Sequence, residues 1–329
     1  MNIKKIGLTA LAGSLVASTA FAGTMTMSGG AKFSYTTKDG SALEGVQTGS
    51  HFGLDQELSA VGSAELDNGM TVSVTHLLDS TGSSSSTSTL TLDMGDMGKL
   101  SYSDTDASGG LHSLDDITPT AYEEVSNGVA LDVQAGMSTG QGFAYSNTFA
   151  GASVGIQYSD NQGAAIGTDG TTSSSAGASS SSSIGITYPV GDTGLTIYGG
   201  VGTEGQADST EIDHTTIGAK YAFGPVTVGY QVNDEDNSAA DNTVEADEDL
   251  ETTAYSLSFS VNENLSVSYG ENTTTSTATG AVDQDYEGMS IAYSMGGITI
   301  SAYDHEGTSM SNVQDTNTEA QEILVSFAF

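Results

Sequence analysis

Cysteine, tryptophan and arginine are absent from the 329-residue chain, and proline occurs only three times. Without thiols there can be no disulfide framework, no thiolate zinc site and no cysteine nucleophile. Without arginine there is no planar fork to grip a phosphate or carboxylate at two points. Positive charge of any kind is scarce: six lysines stand against 42 acids, a net charge of −36. Such a surface repels a phosphate backbone, so a nucleic-acid partner is excluded. Nor does any stretch reach the roughly 18 consecutive apolar residues that a membrane-spanning helix needs. What the chain does have is glycine, 42 residues of it, set among serine and threonine. Unpatterned, that composition would mean disorder, so the arrangement of the apolar residues decides.

Residues 1–22 stand apart. Lys4 and Lys5 precede an apolar stretch from Ile6 to Val16, followed by Ala20-Phe21-Ala22. This predicts a secretory signal peptide cleaved after Ala22, with residues 23–329 as one domain. That domain alternates with period two from end to end. Met25, Met27, Ala31, Phe33 and Tyr35 fall on one parity, and Thr24, Thr26, Ser28, Lys32, Ser34 and Thr36 on the other. The pattern recurs in Val226, Val228, Tyr230 and Val232, in Tyr255, Leu257, Phe259 and Val261, and in Ile323, Val325, Phe327 and Phe329. These are two-faced strands; helical spacing is nowhere sustained.

The connections alternate between two sizes. Short ones, such as Asp67-Asn68-Gly69 and Met295-Gly296-Gly297, have hairpin-turn chemistry. Long polar ones include residues 38–49, 106–140, 161–181 and 234–250. Seven short and eight long connections join sixteen strands. Strands of about ten residues use roughly 160 residues in all and leave nearly half the domain for loops and turns. An even strand count, short turns at one end and long loops at the other predict a 16-stranded antiparallel transmembrane β-barrel, apolar outside and polar inside. The serine, threonine and glycine of the inward parity are suited to lining water.

Several runs, taken in order, resemble the general outer-membrane porins of Gram-negative bacteria, especially a small acidic type from marine alphaproteobacteria. They are Gly62-Ser63-Ala64-Glu65-Leu66-Asp67-Asn68-Gly69, Pro119-Thr120-Ala121-Tyr122-Glu123-Glu124, Asn147-Thr148-Phe149-Ala150-Gly151 and the final Phe329. The resemblance covers essentially the whole chain. It implies a passive diffusion channel, a homotrimer, a third loop folded inward to narrow the pore, and Phe329 as a signal read by the barrel-assembly machinery. It also implies lipid and lipopolysaccharide around the barrel and small hydrophilic solutes within. One departure stands out: the row of arginines that the family sets opposite its third loop has no counterpart here.

On this reading Asp115, Asp116, Glu123 and Glu124 of the third loop form the negative wall of the constriction; the alternative is a solvated outer loop. Inward parity adds the lumen-wall acids Asp55, Glu57, Glu65 and Asp93. Lys32 and Lys99, with Lys220 as a further lysine of that parity, are the candidates for an opposing basic face. Eight acids against three lysines predict cation preference. His51 and His214 also fall on the inward parity, without a second ligand at metal spacing. Asp104, Asp106, Ser108 and Asp115, with Gly109 between them, follow calcium-loop spacing, and a structural calcium is the one cofactor this suggests. Coincidence in an acidic, glycine-rich chain is the stronger reading. The stretch 171–183 reads as the mobile tip of the fourth outer loop. Small outward residues at Gly29, Ala31, Ala60, Gly62 and Ala64 make a smooth wall that another barrel could approach.

Three other functions are open to such a chain. A solute-specific channel shares every feature above. A surface adhesin would leave the regular alternation of short and long connections unexplained. An enzyme would need a convincing Ser/His/Asp set, and none is apparent.

Overall fold

The computed structural model describes residues 23–40, 48–79, 85–105, 107–129, 137, 140–160, 180–205, 211–237 and 249–329. The expected signal peptide, residues 1–22, lies outside them, as does Asp106. Sixteen strands follow in order. They are β1 (Thr24–Gly40), β2 (Gly49–Glu65), β3 (Thr71–Asp79), β4 (Ser85–Asp93), β5 (Lys99–Ser103), β6 (Gly142–Phe149), β7 (Ala152–Asp160) and β8 (Ser180–Pro189), then β9 (Leu195–Gly205), β10 (Glu211–Phe223), β11 (Val226–Asn237), β12 (Leu250–Asn262), β13 (Leu265–Ser276), β14 (Gln284–Met295), β15 (Ile298–Thr308) and β16 (Thr318–Ala328). Each pairs with its sequence neighbours and β1 pairs antiparallel with β16, closing the barrel. No helix of the described residues is long and apolar enough to cross a membrane, which says nothing of a β-barrel.

Alternation sends the apolar parity outward. Met25, Phe52, Phe223 and Ile217 are all more than 60% exposed, a cost no soluble protein would carry over a continuous belt. Facing hydrocarbon they need no further cover, and closure leaves no strand edge with unpaired N–H and C=O groups. Tyr188, Tyr221, Phe223 and Tyr293 project outward beside the short turns, where an aromatic girdle belongs. The seven short connections form as expected. In the first, Gly69 takes φ 81°, open to glycine because it lacks Cβ, and the Met70 N–H is accepted by Asn68 Oδ1 at 3.1 Å.

Two expectations change. Strands β1 and β2 run to 17 residues each, so they extend past the hydrocarbon, which about ten residues would cross. The fourth loop is shorter than its composition implied, since β8 begins at Ser180 and residues 171–179 lie outside the described set. Ser181 and Ser183 are strand residues, buried on the lumen side.

The closing seam shows why one residue is small. Gly29 and Phe329 exchange both backbone hydrogen bonds, at 2.9 and 3.0 Å. A Cβ on Gly29 would stand 2.8 Å from Cε2 of the Phe329 ring and 3.0 Å from Glu57 O. Gly29 therefore serves its own barrel's closure and is removed from the expected inter-barrel wall. Gly29→Leu should push the ring off the seam at an overpacking cost of about 1–3 kcal/mol. Heat-modifiable gel migration checks this: the folded band should be lost at a lower temperature, and an unchanged transition would show that the ring contributes nothing to closure.

Candidate functional site

The connection between β5 and β6, residues 104–141, is the third loop, and its described residues lie inside the barrel against the wall from β7 round to β16. Apolar residues give it a reason to fold inward. Ala107, Leu111, Leu114, Val125 and Val129 are buried, and Val125 and Val129 pack with Tyr286, Tyr303, Met310 and Ala320 in a small apolar core.

The wall is cut to receive it. A Cβ on Gly185 would strike Gly110, one on Gly200 Leu111, one on Gly229 Pro119 and one on Gly270 Val125. Polar side chains then satisfy the loop backbone strand by strand. On β8, Ser183 Oγ accepts the Leu111 N–H at 3.0 Å. On β11, Gln231 Oε1 accepts the Ile117 N–H at 3.1 Å, while Asn233 Nδ2 donates to Asp115 O at 3.0 Å. Ser256 of β12 donates to Pro119 O at 2.7 Å. Ser268 of β13 and Ser290 of β14 accept the Ala121 and Tyr122 N–H groups at 2.9 and 3.1 Å. The small polar parity expected to line water is therefore, on this side, a seat for the loop. Buried N–H and C=O groups must find partners, and short side chains offer them without holding the backbone away.

The four acids of the loop follow this track. Asp115 lies by β10 and β11, and Asp116, Glu123 and Glu124 line a cavity against β12 to β15. Asp116 Oδ1 accepts the N–H and hydroxyl of Thr118 at 3.0 and 2.8 Å, and the Asn127 amide donates to Glu123 Oε2 at 3.1 Å. Glu124 differs. Its hydrogen bond to the Asp116 carboxylate is the main cause of a pKa pushed up to about 9, with burial next. The Glu124 carboxyl therefore keeps its proton at neutral pH.

The expected basic face is largely neutralised. Lys32 lies 3.7 Å from Asp55, its cross-strand partner, and Lys99 lies 3.1 Å from Asp93. Lys99 stands at the foot of β5, on a cavity of about 870 Å³ that also reaches Ser108 and Ser113 of the loop. Glu65 and Asp93 end β2 and β4 beside short turns, so they flank the turn-side mouth and not the loop. Lys220 and Lys38, the latter on the same parity of β1 as Lys32, make no ion pair among the described residues.

Other expectations need correction. Of the calcium-spaced residues, Asp104 and Asp115 lie on different walls, and Asp106 is outside the described residues. Asp104 Oδ1 accepts the Ser88 N–H at 2.7 Å beside β4, whereas Asp115 is tied to β11, because the chain crosses from one wall to the other between them. The described residues hold no group of three acids or histidines able to bind a metal. His214 is buried 3.7 Å from Glu204. His305, which sequence reasoning missed, faces inward and donates from Nδ1 to Asn127 O at 2.9 Å. Parity alone could have found it, since it lies two residues from inward-facing Tyr303. Gly151-Ala152-Ser153-Val154-Gly155 matches the spacing of a serine-hydrolase elbow, but all of it after Gly151 lies within strand β7, so Ser153 is not on the strand-to-helix turn that such an elbow requires. Gln231, Asn233 and the seat serines were also missed, because only the docked loop gives them a role.

Comparison with known proteins agrees with this architecture. A family model described as Gram-negative porin matches residues 7–320. A solved porin structure aligns at 17% identity over 93% of this chain and 100% of its own, with a TM-score of 0.65. Two mutants of Rh. blastica porin align at 16% identity with the same coverages and TM-scores of 0.64. At such identities the likeness carries the fold. No curated protein sequence matches significantly. The chain belongs to the Gram-negative porin family and is an integral β-barrel channel of the outer membrane.

Proposed function

We propose that the barrel is a passive diffusion channel for small hydrophilic solutes, with cation preference set at the third loop. The observation that carries this is the imbalance of charge across the lumen. Asp115, Asp116, Glu123 and Glu124 are strung along the loop, while Lys32 and Lys99 are already paired with Asp55 and Asp93. Glu57 adds to the negative side without an ion pair among the described residues. In a constriction narrower than the Debye length, about 10 Å at 0.1 M salt, fixed charge selects which ion accumulates.

A homotrimer is the oligomer we propose, with its contact on the outer face of β1 to β4. His76 and Ser88 are hydrogen bonded at 2.9 Å on the same parity as the outward Val74, Leu78 and Leu90. Such a polar pair is disfavoured against lipid. Next to it are Ala60, Gly62 and Ala64, and a Cβ on Gly62 would meet nothing within 4 Å. Packing inside this chain does not require those residues to be small, whereas a second barrel would. Removal of residues 1–22 as a signal, lipid and lipopolysaccharide as surroundings, and recognition of Phe329 by the barrel-assembly machinery are further proposals resting on the family resemblance.

Three outcomes are expected. A carboxyl with a raised pKa stays neutral until the pH passes that value, so the pore gains negative charge as the pH rises. Zero-current potentials in a dilute KCl gradient should show cation preference growing between neutral pH and about 9. Glu124→Gln should flatten that rise, and chloride preference at neutral pH would overturn the proposal. Ala60→Phe should shift purified trimer toward monomer while the barrel stays folded; an intact trimer would put the contact elsewhere. Phe329→Ser should lower the amount of folded barrel recovered from membranes, and a normal yield would remove the assembly role.

A further inference from the structure

Glu322 lies on β16, on its lumen-facing parity, and its two carboxylate oxygens serve different parts of the chain. Oε1 accepts the Tyr122 hydroxyl of the third loop at 2.8 Å. Oε2 accepts the Thr36 hydroxyl of β1 at 2.9 Å, and Thr36 is the cross-strand partner of Glu322 in the pair that closes the barrel. Tyr122 in turn immediately precedes Glu123 and Glu124.

The surroundings fix the tyrosine as well. Its ring stacks on Tyr303 with centroids 6.1 Å apart, and Tyr303 stacks on His305 at 4.2 Å. Burial, followed by the hydrogen bond to Glu322, raises the Tyr122 phenol above its ordinary pKa, so it remains a donor. The serine, glutamine and asparagine anchors of the loop backbone, Ser183, Gln231, Asn233, Ser256, Ser268 and Ser290, are neutral. A hydrogen bond to an ionised partner is roughly twice as strong as a neutral one.

We propose that Glu322 is the positioning residue that sets the gauge of the pore, holding the acidic part of the third loop at its docked distance and coupling that position to the closed seam. The proposal rests on the third loop being the constriction. Since one oxygen holds β1 and the other holds the loop, a barrel whose first and last strands have not paired lacks half of the clasp. The gauge is therefore set last, after closure.

Single-channel recording in planar bilayers tests this with Tyr122→Phe, Glu322→Ala and Glu322→Gln, each first checked for folding by heat-modifiable migration. Tyr122→Phe changes no charge and leaves the Thr36 bond intact. It should add a larger conductance level, with the ratio of docked to undocked dwell times falling by roughly ten-fold or more. Glu322→Ala should do the same, and the double variant should be no worse than either single one. Glu322→Gln, whose amide can accept from Tyr122 and donate to Thr36, should restore the dwell ratio while lowering cation preference. A role confined to folding would not produce that separation of gauge from charge. If Glu322→Ala does not fold, Tyr122→Phe still decides. Wild-type conductance levels in Tyr122→Phe, with Glu123→Gln shifting the zero-current potential, would overturn the clasp and leave the constriction standing. No change in either variant would overturn both.

Discussion

A β-sheet in hydrocarbon cannot have an edge, because each unpaired N–H or C=O there costs several kcal/mol. Every other feature of this molecule depends on that constraint. It makes β1 meet β16, a pairing that runs from Gly30 opposite Ala328 to Gly40 opposite Thr318 and ends in the Gly29 and Phe329 exchange. Side chains alternate with period two, so a slip of one residue at this seam would turn the slipped strand's lumen carboxylate, Glu322 on β16, toward lipid. Closure therefore sets which charges the pore contains as well as its circumference.

An enclosed barrel of sixteen strands is wide, and its interior is asymmetric. From β7 to β16 the wall that meets the loop is rich in glycines and short hydroxyl and amide side chains, and it holds a loop that brings its own apolar residues. From β1 to β5 the wall carries Lys32 and Lys99 with their acid partners Asp55 and Asp93. The loop adheres for two separate reasons. Leu111, Leu114, Val125 and Val129 leave water, and the loop's backbone groups exchange water for Ser183, Gln231, Ser256, Ser268 and Ser290. Neither would suffice alone, since an apolar loop with unpaired backbone would lose more than it gained.

The electrostatics follow from the same geometry. Confined carboxylates do not all ionise: Glu124 keeps a proton against Asp116, and two of the wall acids face lysines. The charge of the pore is consequently smaller than a count of its acids and depends on pH. Without arginine no guanidinium faces the loop, and Lys32 and Lys99 of the far wall are each paired with an acid.

The order of strands, their inward and outward parity and the seven tight turns were all legible along the chain, because a two-residue period and turn chemistry are local properties. The candidate acids were legible as well, by residue type and by their position in a long loop. What the loop does could not be read the same way. Its path over Gly185, Gly200, Gly229 and Gly270, the pairing of Glu124 with Asp116, and the divided carboxylate of Glu322 join positions up to 286 residues apart in the chain. The calcium-like spacing of Asp104 and Asp115 shows the converse: residues close in sequence were carried to different walls. Local pattern determined that this chain makes a barrel with an acidic interior. Only the closed tertiary structure decided where the loop stands in it, because that position is set by contacts with strands not yet made when the loop is read.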